Sequence, residues 1–110
     1  MIDKHEFLEL VKPHCPSKAG LQLIHQCDDM KEAFTKMPSD DWVWVLRHLP
    51  QLAEYCDWSR LNGWGWCHLL IVHPKFERHC DWSKLSGCEW ALLLEHQQQF
   101  QKYKDKYYDR

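Results

Sequence analysis

The sequence predicts an all-α protein, a single small domain in which short helices stack in the manner of a solenoid. One unit is written twice, at residues 56 to 79 and again at 80 to 103, and a repeat of about 20 to 50 residues is typical of stacked structural units. Short apolar segments with helical spacing are separated by prolines, which end helices. No run of β-branched or aromatic residues alternates as a strand would.

The two copies of the repeat share a specific pattern of residues. Cysteine, aspartate, tryptophan, serine, leucine and glycine match in the first half: Cys56/Cys80, Asp57/Asp81, Trp58/Trp82, Ser59/Ser83, Leu61/Leu85 and Gly63/Gly87. Apolar residues match in the second half: Trp66/Trp90, Leu69/Leu93, Leu70/Leu94 and Phe76/Phe100. A degenerate copy lies upstream in the same register, with Trp42, Val45, Leu46, Pro50 and Leu52 at the matching positions.

Capping residues and prolines predict where the helices before the repeat begin and end. Asp3 with Glu6 forms a capping box for a first helix that stops before Pro13. Ser17 caps a second helix through Ile24. A third helix, capped by Asp29 with Glu32, stops at Pro38. The fourth begins near Ser39 to Asp41, buries the stripe Trp42, Val45, Leu46 and Leu49, and gives way at Pro50 to a one-turn helix ending at Tyr55.

Within the repeat, each copy is predicted to form a short turn followed by a longer helix. Asp57 and Asp81 are placed to cap the turns, and Gly63 and Gly87 are placed to close them. Pro74 starts another small helix, but Gln98 replaces that proline in the last copy. We therefore predict one continuous helix from about Glu89 to Lys106 that caps the stack.

The predicted organisation is one all-α domain over residues 1 to 110, a size that supports a modest core without disulfides or a metal. Its predicted parts are the N-terminal helices at 1–38, the degenerate repeat at 39–55, one repeat at 56–79, and a repeat with a capping C-terminal helix at 80–110.

Composition excludes several classes of function. A formal charge of −2 argues against nucleic acid as the main partner, because phosphate binding needs a basic field. No segment approaches the roughly 20 apolar residues of a membrane span, and the N-terminal segment does not resemble a signal peptide, so we expect a cytoplasmic protein. The four glycines do not form a phosphate-binding loop. We expect neither a small-molecule ligand nor a cofactor.

The six cysteines and eight histidines make a zinc- or thiol-dependent protein the main alternative. In a reducing compartment the cysteines are expected as free thiols, with Cys56 and Cys80 buried. No close pairs have the spacing of a zinc motif. A site assembled from His25, Cys27, His79 and Cys80 remains open. No cysteine lies within a sequence motif typical of a catalytic nucleophile. Cys67 and Cys88 are the thiols that the repeat pattern does not require.

Seven tryptophans serve either the core or a partner. Trp42, Trp66 and Trp90 head an amphipathic helix in every copy and are predicted core residues, and Trp58 and Trp82 are predicted wedges between repeats. The repeat does not require tryptophan at Trp44 or Trp64. We therefore predict that partner contacts are made by Trp44 and Trp64, together with three tyrosines of the charged C-terminal segment, Tyr103, Tyr107 and Tyr108.

Two resemblances to known families accompany these patterns. The unit CDWSKLSG, followed by W, LL and F, resembles the tryptophan-rich CDW repeat of proteins from gut bacteria and their phages. Residues 15 to 46 resemble the helical domain of predicted bacterial immunity proteins. The residues that match that domain's pattern are Cys15, Gly20, Leu21, Ala33, Phe34, Asp41 and Trp42, whereas Met37 stands at its second cysteine and Trp44 lies one place early.

The resemblances imply a small accessory protein of a phage or mobile element that binds another protein. The implied mechanism is steric, and no catalytic residue is expected. The implied partner is a bacterial defence component, as for an anti-CRISPR-like inhibitor, or a toxin, as for an immunity protein. A purely structural repeat module, which only associates with itself, is a further alternative.

Overall fold

The structure, a computed structural model, describes residues 2 to 108, and helices are the only regular elements in that range. The predicted all-α class is therefore confirmed. The α-helices are α1 (Lys4–Val11), α2 (Lys18–Gln26), α3 (Met30–Lys36), α4 (Ser39–His48), α5 (Gly63–Val72), α6 (Gly87–His96) and α7 (Gln101–Tyr107). The 3-10 helices are Lys12–His14, Pro50–Tyr55, Trp58–Arg60, Pro74–His79, Trp82–Lys84 and Gln98–Phe100.

The contacts divide the chain into two compact units, residues 1 to 57 and residues 58 to 110. The first unit contains α1 to α4 and the degenerate copy of the repeat. The second contains both complete copies except for Cys56 and Asp57, which end the first unit.

Side-chain caps fix the starts of the first three helices where the sequence predicts them. The carboxylate of Asp3 accepts a hydrogen bond from the Glu6 amide at 2.8 Å, and that of Asp29 accepts one from the Glu32 amide at 2.9 Å. The Ser17 hydroxyl accepts one from the Gly20 amide at 3.0 Å. Each such cap stabilises a helix by about 1 kcal/mol.

The core of the first unit contains a stack of three aromatic rings. Phe34 stacks on Trp42, with ring centroids 5.2 Å and ring planes 29° apart, and lies nearly parallel to Tyr55, with centroids 5.4 Å apart. Phe7 adds an edge contact to Phe34 at 5.8 Å. The stack joins α1, α3, α4 and the 3-10 helix after α4.

The second unit repeats this aromatic stack twice in the same register. Trp58 lies against Trp66 at 5.4 Å and against His79 at 4.4 Å. In the next copy Trp82 lies against Trp90 at 5.5 Å, and Tyr103 occupies the position of His79. Trp58 and Trp82 therefore stack on rings of their own copy, and the prediction that they act as wedges between repeats stays a prediction.

The innermost ring of each stack is a completely buried tryptophan. Trp42, Trp66 and Trp90 each have 0% of their surface exposed, which confirms them as core residues. Their indole Nε1 atoms have no hydrogen-bond partner within residues 2 to 108. An unpaired buried donor costs about 1 to 3 kcal/mol. Burial of an indole offsets this cost, so apolar packing fixes these side chains in place.

The prediction of one continuous helix from Glu89 to Lys106 is wrong, because the helix is interrupted at Gln97. Gln97 has φ −136° and ψ 77°, nearly the angles of His73, which precedes Pro74. The break lets Phe100 reach the core, where its surface is 0% exposed and its ring lies 5.3 Å from that of Trp82. Gln97 also donates a hydrogen bond from Nε2 to the Ile71 carbonyl at 3.0 Å. Tertiary packing therefore produces the break that proline produces in the other copy.

Gly63 begins α5 instead of closing the preceding turn, which corrects the predicted role of this glycine and of Gly87. Neither glycine has a positive φ. A Cβ atom on residue 63 would overlap the Lys84 carbonyl oxygen, so glycine is needed for close packing. The Lys84 ammonium group strengthens this contact by donating hydrogen bonds to the carbonyls of Ser59 and Leu61, both at 3.0 Å.

The C-terminal segment closes the last copy in a related way. Tyr108 stands at the repeat position of Lys84, and its hydroxyl lies 2.8 Å from where a Cβ on Gly87 would be. Tyr103, at the position of His79, completes the stack on Trp82. Residues 101 to 108 therefore follow the repeat's register although most of its side chains have changed.

Candidate protein-binding surfaces

Trp64 is the largest exposed apolar side chain within residues 2 to 108, with 47% of its surface accessible. It lies in the first turn of α5, where the Asn62 side chain caps the helix by accepting a hydrogen bond from the Gly65 amide at 2.8 Å. Trp66 on the same helix is fully buried, which fixes the orientation of α5. The Trp64 ring packs on His68 one turn later, with centroids 4.2 Å apart.

Trp44 occupies a different environment in the first unit. Its side chain is half-buried on α4, and its ring lies 4.9 Å from that of His48. His48 in turn lies 5.0 Å from His14. Burial lowers the pKa of His48, and the neighbouring charges of His14 and Arg47 lower it further. The rings of Trp44, His48 and His14 therefore form a small aromatic cluster in the first unit.

The three tyrosines predicted to contact a partner differ in exposure. Tyr107 has 46% of its surface accessible, with the Lys106 ammonium 5.1 Å from its ring centroid. Tyr103 is half-buried because it stacks on Trp82, and Tyr108 is half-buried beside Gly87. Tyr107 is therefore the tyrosine of this group with the most surface available to a partner.

The first unit also contains an apolar groove that the sequence does not reveal. It has a volume of about 400 Å³, counted to its open mouth. The walls come from α1, α2 and α4, which contribute mainly apolar side chains, among them Phe7, Val11, Leu21, Ile24 and Trp44. Because these residues are far apart in the sequence, their helical spacing predicts burial and gives no signal of a cavity.

Asp41 is the one ionisable residue in the wall of this groove. It lies in the first turn of α4, next to Asp40. Burial raises the pKa of the Asp41 carboxyl group, and repulsion from Asp40 raises it further. The groove thus combines an apolar lining with a carboxylate whose charge is incompletely hydrated.

Three of the six cysteines, Cys56, Cys67 and Cys80, have raised pKa values that are unfavourable for a nucleophile. Cys56 and Cys80, which were predicted to be buried, are half-buried. All six, which lie within residues 2 to 108, are free thiols. Burial raises the pKa of Cys56 to about 12 and that of Cys67 to about 11, and it also raises the pKa of Cys80. Cys67 lies 3.4 Å from the Glu89 carbonyl oxygen, to which its thiol donates a hydrogen bond. Without a bound metal these three thiols are protonated at physiological pH, whereas a cysteine nucleophile reacts as the thiolate.

The part of the chain that the structure describes contains no group of three or more histidine, cysteine or acidic residues arranged to hold a metal ion. The site considered for His25, Cys27, His79 and Cys80 therefore gains no support from the structure. None of the helices within residues 2 to 108 is both long and apolar enough to cross a membrane.

Comparisons with protein-family models, with curated proteins and with solved structures returned no match to this chain. The two family resemblances noted in the sequence accordingly remain predictions.

Proposed function

We propose that this protein acts by binding another protein and covering part of its surface, without catalysing a reaction. The observation that carries the proposal is the exposure of Trp64, whose position is supported by a capped helix and by His68. Tryptophan is among the residues that most often dominate the energy of protein interfaces. Burying the exposed half of an indole, roughly 100 Å², stabilises a complex by about 2 kcal/mol.

The contrast between Trp64 and the other tryptophans strengthens this interpretation. The three tryptophans at the inner position of the aromatic stacks are fully buried, and Trp82 is only 6% exposed. Cys88 stands at the position of Trp64 in the next copy, so the packing of the repeat does not require a large ring there. A binding role gives a physical reason for an apolar ring that the fold leaves in water.

The class of partner is proposed from the resemblance to phage CDW-repeat proteins and to bacterial immunity domains. We propose an accessory inhibitor encoded by a phage or mobile element, and the target is a bacterial defence component or a toxin. Inhibition is steric, because a rigid helical unit seated on the target excludes the target's own substrate or partner. Cys56 and Cys67 are poor candidates for nucleophiles, because burial raises the pKa of each thiol.

A pull-down from bacterial lysates, with and without active defence complexes, tests the proposal when read by mass spectrometry. The wild-type protein is expected to retain one partner in stoichiometric amount, and Trp64→Ala is expected to lose it. Val72→Ala is the matched control, since Val72 is an exposed apolar residue at the other end of the same helix. Equal retention by both variants would remove Trp64 from the interface, and an empty pull-down with folded wild-type protein would contradict the function.

A further inference from the structure

We propose that the groove between α1, α2 and α4 holds an apolar side chain of the partner protein that is followed directly by lysine or arginine. This inference rests on the proposed function, because it names the chemistry of a segment that the bound protein presents. It adds a second contact site, in the first unit, to the Trp64 surface of the second unit.

The size and lining of the groove favour an apolar occupant. The groove is open to solvent, so its volume of about 400 Å³ includes space outside the walls, and the enclosed part has room for the tip of a single side chain. Phe7, Val11 and Ile24 contribute to the wall and are almost fully buried by their own neighbours. The wall is therefore preformed, and an apolar side chain entering it displaces water from the half-buried side chains of Leu21 and Trp44.

The charge of the groove favours a cation beside that apolar group. Asp41 has no opposing charge in the groove wall, since no lysine, arginine or histidine contributes to it. Asp40, the adjacent residue, is a second acid. A positive side chain placed at Asp41 would compensate a carboxylate that burial has partly dehydrated, whereas a neutral or acidic one would leave it uncompensated.

Trp44 provides a surface that suits the same cation. Its half-buried indole forms part of the groove wall on α4, one turn beyond Asp41. Lysine and arginine interact favourably with the face of an indole, and arginine does so more often. Asp41 and Trp44 thus offer charge and ring contacts from one helix to a single basic side chain.

The test is an NMR titration of the full chain with synthetic tetrapeptides. The probe is acetyl-Gly-Leu-Arg-Gly-amide, and the controls are the same peptide with glutamine replacing arginine and with serine replacing leucine. The arginine peptide is expected to shift amide signals of residues 16 to 24 and 37 to 45 and to bind at least threefold more tightly than either control. Equal affinities for the three peptides, or shifts confined to other residues, would overturn the proposal.

Two variants assign the contacts. Asp41→Asn is expected to remove the preference for arginine over glutamine while keeping the preference for leucine over serine. Trp44→Ala is expected to lower the affinity for the arginine peptide about tenfold. Trp44→Phe is expected to recover most of that affinity. An unchanged preference for arginine in Asp41→Asn would contradict the assigned role of the carboxylate.

The titration and the pull-down can fail independently. If Trp64 retains a partner but no peptide enters the groove, the inference is wrong and the proposed function stands. If the peptides bind as expected but no partner is retained, the groove does prefer an apolar residue followed by a basic one. The proposed function as a steric inhibitor is then wrong.

Discussion

The phenol ring of Tyr103 lies parallel to the indole of Trp82, with centroids 4.3 Å and ring planes 9° apart. Removing the phenol in Tyr103→Ala is expected to lower the free energy of unfolding by about 2 kcal/mol, because a stacked, half-buried ring is lost. Tyr103→His should cost less, since His79 fills the same position in the preceding copy. Urea denaturation measures both changes. The control is Tyr107→Ala, which removes an exposed tyrosine and should change the free energy of unfolding by less than about 0.5 kcal/mol. If Tyr107→Ala lowers that free energy as much as Tyr103→Ala does, the stack on Trp82 is not the cause.

Gly63→Ala is expected to destabilise the second unit by about 1 to 3 kcal/mol. The added methyl group would overlap the Lys84 carbonyl oxygen and the Glu89 carboxylate, so a packed backbone must move. Gly87→Ala is the matched variant, because its methyl group would meet only the hydroxyl end of the Tyr108 side chain, which can move aside. Thermal unfolding should therefore give a clearly lower melting temperature for Gly63→Ala than for Gly87→Ala. The reverse order would contradict this account of the packing.

Replacing Gln98 with proline is expected to stabilise the protein by about 0.5 to 1 kcal/mol. Gln98 is the first residue of a 3-10 helix, as Pro50 and Pro74 are in the earlier copies. The preceding residues share one conformation, with φ and ψ of −136° and 77° at Gln97 against −133° and 65° at Leu49. Proline then restricts the unfolded chain at little cost to the folded one. Chemical denaturation measures the gain, and Gln99→Pro, one residue further into the helix, should instead destabilise.

Asp41→Asn is expected to raise the melting temperature at neutral pH. Burial raises the pKa of the Asp41 carboxyl group, and repulsion from Asp40 raises it further, so the charged form is less stable in the folded state than in the unfolded state. Because the folded state binds the proton more tightly than the unfolded state, wild-type stability should rise relative to the variant as the pH falls through the folded-state pKa. The two melting temperatures should converge in acid. A difference that is constant with pH would show that charge is not the cause.

Reaction with a thiol reagent such as Ellman's reagent should separate the cysteines by burial. Cys15 and Cys88 are exposed and should react first in the native protein. Cys67 should react only after unfolding, since it is buried and its pKa is raised to about 11. Cys88→Ser should remove one rapid equivalent and leave the slow phase unchanged. Rapid reaction of Cys67 would contradict the close packing of α5 and α6.

The helix boundaries that were predicted correctly depend on local chemistry. Asp3, Ser17 and Asp29 cap helices by accepting hydrogen bonds from amides three residues away. Pro50 and Pro74 start 3-10 helices, because the proline ring fixes its own φ angle. Such effects are encoded within a few residues of the boundary, so the sequence reports them directly.

The features that were predicted wrongly depend on residues far apart in the chain. The break at Gln97 follows from burying Phe100, and the need for glycine at residue 63 follows from its contact with Lys84. Neither residue carries a local signal of these contacts. Comparison of the copies marked Trp64 as unnecessary for the repeat, and the ring is exposed; its role in binding remains a prediction. The sequence carries no local signal of the groove, because its walls come together only when three helices pack.

The bonds that join the two copies in the second unit have a consequence for how that unit folds. Lys84 reaches back 25 and 23 residues to Ser59 and Leu61, Cys67 reaches 22 residues to Glu89, and Gln97 reaches 26 residues to Ile71. Every one of these links closes a loop of nearly the same, moderate length. Contacts of moderate sequence separation carry a small entropic cost and favour rapid folding. The contacts between the two copies are therefore expected to form at similar rates and early in the folding of this unit.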